Sequence, residues 1–210
     1  MEYTCSFVLI YYAAHFRFVL EQYEQLLDCA EELYMLYFFS LAADSELLLL
    51  VLSYGSDPEE VEFMKKSAQA ARRFCNGCSC AQAVLTTYSE KYKLDVEQAM
   101  KMTTGLAGGI GKMGQTCGTV TGSVLVIGLE KSSGSPHDHE SKEATMQAIH
   151  QFNEQFEKKH GSLVCKELLG HDLSQPDGYQ QARESGVFKT RCPHFVETAV
   201  ELLEGIVEGQ

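Results

Sequence analysis

Apolar residues in the second part of this 210-residue chain recur at the three-to-four-residue spacing of a helix, and that periodicity constrains the fold most. Ala81, Val84, Leu85 and Tyr88 share one face if 80–92 is helical, and 141–160 and 193–207 read the same way. A half-buried strand would need alternation instead. With only 4 Pro in the chain, little breaks such helices. Asp57-Pro58-Glu59-Glu60 is a helix start, with Pro at the first helical position and acids in the first turn, and that helix should reach Phe74. Asp95 caps a short helix through Met102. The helix over 141–160 should stop at Gly161. Shorter helices are expected near 162–170 and 176–185, and a last one runs from Cys192-Pro193 to about Val207. The expected fold is all-α: a helical bundle with a glycine-rich loop and an N-terminal helical extension.

Two central stretches lack this periodicity. Residues 105–114 read Gly-Leu-Ala-Gly-Gly-Ile-Gly-Lys-Met-Gly. They resemble a phosphate loop only in composition, since the Gly-Lys-Ser/Thr ending is absent and no strand precedes them. Residues 117–129 are almost wholly apolar or small, and too few to span a bilayer as a helix. Their β-branched content would permit a buried strand. We expect a buried helix, with Gly118 and Gly122 four apart to admit a close neighbour.

Charge divides the chain. The net charge is -12, which disfavours nucleic acid and acidic membranes as partners. Residues 1–60 hold one basic residue, Arg17, against eleven acids, whereas 61–210 are nearly balanced. With the turn-rich stretch near 53–58, this gives an acidic, apolar helical extension over 1–56 and a functional domain over 57–210. Helices are expected over about 5–32 and 34–53. The second apolar run is long enough to cross a bilayer but carries Asp44 and Glu46 near its middle. A central Asp costs roughly 2.5–3.5 kcal/mol on insertion. The expectation is therefore no membrane span, with the extension packed on the domain or in a homodimer. No positive n-region precedes the first apolar run, so the chain is expected to be cytoplasmic.

The chemistry lies in the 8 cysteines. Cys5 and Cys29 have no motif around them and read as buried thiols. Cys75-Asn-Gly-Cys78 is followed by Ser79 rather than His, so it is no c-type haem site, and no second C-x-x-C completes a zinc ribbon. His137-Asp138-His139 lies in a polar loop and reads as a solvated turn. Cys80 and Cys192 fall at expected helix N-termini, where exposed N–H groups and the dipole favour thiolate. Cys117 has Gly118 beside it, which admits another group near its sulfur.

The order and spacing of Asn76-Gly-Cys-Ser-Cys-Ala-Gln-Ala-Val-Leu85, Gly105 to Gly111, Thr116-Cys-Gly-Thr-Val-Thr-Gly122, Cys165-Lys-Glu-Leu-Leu-Gly170 and Cys192 resemble the C_GCAxxG_C_C family of redox-active proteins, over about 60–207. The family's four cysteines map onto Cys80, Cys117, Cys165 and Cys192. Thr119 stands where the family centre has Ala, and Cys75 and Cys78 look like additions. The resemblance implies an all-helical domain, in bacteria and archaea, often encoded near transporters. It also implies kinship with the helical part of split-Soret cytochromes, without their haem motif.

Three functional readings stay open. In one, a thiol–disulfide oxidoreductase or electron carrier with an unidentified redox partner uses Cys80 and Cys117 as the reactive pair. In another, Cys80, Cys117, Cys165 and Cys192 ligate zinc or an iron–sulfur cluster. In the third, the domain is a helical interaction module without chemistry. The first two require the four cysteines to converge.

Overall fold

A computed structural model of the chain describes residues 65–207. The chain divides into two compact units, Met1–Asp57 and Pro58–Gln210, and all described residues belong to the second. The extension's helices, its two cysteines and the helix start at Pro58 lie outside the described residues. Among the described residues there are helices and no strand, so the all-α class holds. None of these helices is long and apolar enough to cross a membrane.

The elements run α1 (Lys66–Cys75), α2 (Cys80–Thr87), α3 (Val96–Thr103), a 3-10 turn (Thr104–Leu106), α4 (Gly118–Lys131), α5 (His139–His160), α6 (Cys165–Leu169), α7 (Gly178–Glu184), α8 (Val187–Thr190) and α9 (Cys192–Val207). The last helix is the centre of the bundle. Its Val196, Ala199, Val200 and Leu203 are fully buried, at positions that form one face. That helix packs against α1, α4, α5 and α2. Phe152 and Phe156 of α5 and Tyr88 after α2 complete the core.

Several boundaries differ from those expected. Lys65 is extended, so α1 begins at Lys66 among the described residues. Helix α2 ends at Thr87 rather than near Tyr92. The reason is local: Thr86, Thr87 and Ser89 return their hydroxyls to the carbonyls of Gln82, Ala83 and Leu85, and Lys93 takes a positive φ of 52°. Residues 117–129 are helical, as α4, and the strand alternative is overturned. The helix expected near 176–185 is α7, and a further short helix, α8, follows it.

The glycine-rich stretch has an unusual backbone. Five consecutive residues, Gly108 to Lys112, have φ between 60° and 71°, and two of them, Ile110 and Lys112, are not glycine. Left-handed backbone costs roughly 1–2 kcal/mol for a residue with a Cβ, so the surrounding structure must hold it. It is held by its own hydrogen bonds. The N–H groups of Ile110 through Gln115 all donate to carbonyls of residues 105–110.

Candidate functional site

Each of the four cysteines sits at the start of a helix. Cys80 is the first residue of α2, and Ser79 before it forms a capping box: its N–H donates to Gln82 Oε1 (2.8 Å) and its Oγ accepts from the Gln82 N–H (3.4 Å). The Gln82 amide also donates to the Met100 carbonyl (3.1 Å), which ties this turn to α3. Cys117 caps α4, Cys165 opens α6, and Cys192 opens α9.

Backbone pairing joins the middle two. Thr116 and Val164 form an isolated antiparallel bridge. The Cys117 N–H donates to the Leu163 carbonyl (2.8 Å), and the Cys165 N–H donates to the Gln115 carbonyl (2.6 Å). Gly109 lies directly beneath. A Cβ there would stand 2.7 Å from the Cys165 Cβ and 2.6 Å from the Gln115 nitrogen, so only glycine fits that left-handed position. On the other side, a Cβ on Gly118 would meet the Cys80 Cβ at 3.3 Å, and one on Gly122 would meet Ala81 at 3.0 Å. The two glycines of α4 thus let α2 lie against it with Cys80 beside Cys117. A fourth tie comes from Arg191, which donates from Nη1 to the Leu168 carbonyl (2.9 Å) and so holds the start of α9 near α6.

The thiols meet as a result. The Cys80 thiol neighbours those of Cys117 and Cys192, near enough for each to shift its titration, and Cys165 lies beyond Cys117, within reach of its charge. Cys117, Cys165 and Cys192 are buried, whereas Cys80 keeps partial exposure. No disulfide joins any of the described cysteines.

Helix N-termini were expected to lower these thiols. The outcome is the reverse for Cys80 and Cys117. The bond from Cys117 favours the Cys80 thiolate, but the bond to Cys192, burial and negative charge at Cys192 together push Cys80 well above the ordinary thiol range. Cys117 rises through its bond to Cys80, then through burial and charge at Cys80. Burial pushes Cys165 up to about 12. Desolvation and thiol–thiol contact outweigh the N-terminal dipole because only one of two touching sulfurs can hold a charge cheaply.

Thr119, which stands where the family centre has Ala, lies against the thiols. Its side chain is fully buried in the first turn of α4, and its hydroxyl has no hydrogen-bond partner of good geometry. That hydroxyl faces the Cys80 and Cys117 thiols and favours the thiolate of each. Thr121 and Ser123 in the same helix return their hydroxyls to backbone carbonyls, and Thr119 is the one of the three without such a partner.

The metal alternative fits less well. The sulfurs are strung from Cys192 through Cys80 to Cys117, with Cys165 set beyond. Among the described residues, no three His, Cys, Asp or Glu side chains gather closely enough to hold one ion. As placed, the four cysteines do not form the closed donor set that zinc or an iron–sulfur cluster needs. His137 and His139 are exposed, and Asp138 between them caps α5 by accepting from the Ser141 N–H (3.0 Å), as a solvated turn would.

No curated protein and no solved structure matches the chain. Residues 78–206, more than half of it, match the family described as "Putative redox-active protein (C_GCAxxG_C_C)". All four converging cysteines fall inside that match, as do the glycines that bring them together, and the chain belongs to the C_GCAxxG_C_C family of redox-active proteins.

Proposed function

We propose that the domain is a thiol–disulfide redox protein whose cycling pair is Cys80 and Cys117. The observation that carries this reading is the close approach of the starts of α2 and α4, where a Cβ on Gly118 would stand 3.3 Å from the Cys80 Cβ and the Cys80 and Cys117 thiols are neighbours. Cys80 is the attacking residue, because it alone of the four is not buried as a whole residue, and its enclosed sulfur is reached only once the incoming disulfide docks beside it. As thiolate it attacks an incoming disulfide, forms a mixed disulfide and expels one sulfur as thiolate. Cys117 then attacks the Cys80 sulfur, expels the second, and leaves a Cys80–Cys117 disulfide. Two electrons pass to the incoming disulfide, and the two protons given up by Cys80 and Cys117 end on the released thiols. The Thr119 hydroxyl donates to whichever sulfur is negative, and the starts of α2 and α4 add their N–H groups. Cys192, beside Cys80, and Cys165, beside Cys117, flank the pair.

The test is direct. Mild oxidation of the full chain should give a Cys80–Cys117 disulfide, identified by peptide mass spectrometry. Cys117→Ser should abolish cycling and leave the helical circular dichroism unchanged, since one sulfur-to-oxygen change removes nucleophilicity but little volume. Protein purified without oxygen should be colourless. A brown protein with iron and sulfide, or oxidation that never links 80 to 117, would overturn the reading.

A further inference from the structure

The Cys75/Cys78 pair is used by neither the family pattern nor the mechanism above. Cys75 lies outside the matched residues and Cys78 is their first. Three features set the pair apart from buried structural thiols. First, a single tight turn holds both. The Gly77 N–H donates to the Phe74 carbonyl (3.0 Å) and the Cys78 N–H to the Arg73 carbonyl (3.1 Å), the double bond of a Schellman motif, with Gly77 at φ 100°. Second, the turn is at the surface: Asn76 and Gly77 are exposed and both cysteines are partly so. Third, the turn leads straight into the buried site. Ser79 is extended, which directs the side chains of residues 78 and 80 to the same side of the chain, and both pack against the core.

From this geometry we infer that Cys75 and Cys78 are an outer dithiol that exchanges disulfides between solvent and the inner Cys80/Cys117 pair. The inference rests on the reading of the inner pair and names what reaches it. The co-reactant is a small or surface-exposed disulfide in solution. Cys75 attacks it and expels one thiolate. Cys78 attacks the Cys75 sulfur and expels the second, forming Cys75–Cys78. Cys80 then attacks the Cys78 sulfur and frees Cys75 as thiolate. Cys117 attacks the Cys80 sulfur and frees Cys78. The sum is one external disulfide reduced to two thiols and one Cys80–Cys117 disulfide formed, with the two inner protons ending on the released thiols. Burial raises the Cys78 thiol, and the nearby Arg73 charge offsets part of that rise. The same steps reversed would carry electrons inward.

The experiment adds glutathione disulfide to the reduced full chain, quenches with acid at intervals, alkylates, and maps disulfides by mass spectrometry. A Cys75–Cys78 disulfide should appear first and decay as Cys80–Cys117 grows. In Cys80→Ser the reaction should stop at Cys75–Cys78. In the Cys75→Ser/Cys78→Ser double variant, inner oxidation should slow by roughly tenfold or more, because the oxidant must reach a mostly buried thiol. Inner oxidation at the unaltered rate in the double variant, or no Cys75–Cys78 disulfide in Cys80→Ser, would overturn the relay. Formation of Cys75–Cys78 with no Cys80–Cys117 at any time would instead refute the inner pair, so the two failures are distinct.

Discussion

At the scale of single residues, the site is governed by which sulfur bears charge and what faces it. Thr119 makes this measurable. A buried hydroxyl without a partner costs stability, yet this one is aimed at the two thiols. Thr119→Val keeps the shape and removes the oxygen. We expect unfolding stability to stay level or rise, by up to about 1–3 kcal/mol, since an unsatisfied group is removed. We expect the alkylation rate of Cys80 at fixed pH to fall, since the thiolate of each sulfur loses its donor. A loss of stability with unchanged thiol reactivity would show that the hydroxyl serves packing alone. Residue identity was legible here in part. The four cysteines stood out by spacing and by the small residues beside them. The direction of their pKa shifts was not legible, because it depends on which thiols touch and how much solvent remains, and no local pattern encodes either.

Elements explain why the thiols touch. Helices α2 and α4 approach so closely because α4 presents Gly118 and Gly122 to Ala81 and Cys80. Glycine inside a helix is otherwise a liability, and the same helix holds a control. Gly128 has nothing near the position of a Cβ. Gly122→Ala should destabilise the domain by roughly 1–3 kcal/mol, because Ala81 stands 3.0 Å from the new methyl and the helices must part. Gly128→Ala should stabilise it by roughly 0.5–1 kcal/mol, from helix propensity alone. Urea titration of the two variants decides the matter: equal effects would mean that Gly122 is not a packing device. The four-residue spacing of Gly118 and Gly122 announced a close helix neighbour. Which helix it would be was not announced. The early end of α2 escaped the periodicity for another reason, since hydroxyl bonding to the preceding turn leaves no apolar signature.

At the scale of the whole molecule, the protonation of Cys80, Cys117 and Cys165 is coupled to folding, since each thiol is raised in the folded chain. Thiols raised by burial bind protons more tightly folded than unfolded. They therefore contribute stability that is full below the unfolded thiol value of about 8.5 and is lost as pH rises toward the folded values. The reduced protein should show a falling urea midpoint from pH 8 to pH 10.5, and a midpoint that rises over that range would contradict the burial of these groups. Oxidation should act in the opposite sense. Cys80 and Cys117 are 37 residues apart, and a disulfide closing such a loop restricts the unfolded chain by about 4 kcal/mol on the loop-entropy account. The oxidised form should unfold at higher urea than the reduced form at pH 7, and equal midpoints would mean that the bond strains the native state. By itself, the sequence determined the all-α class, most helix positions within a few residues, and the four cysteines, because each is written locally in apolar spacing, capping residues and motif order. Only the tertiary structure decided that these cysteines meet with Cys80 between Cys117 and Cys192, that a left-handed run of backbone seats Cys165, and that burial overrides the helix dipoles. Those outcomes depend on distances between residues far apart in the chain, and such distances are set by packing rather than by any stretch of sequence.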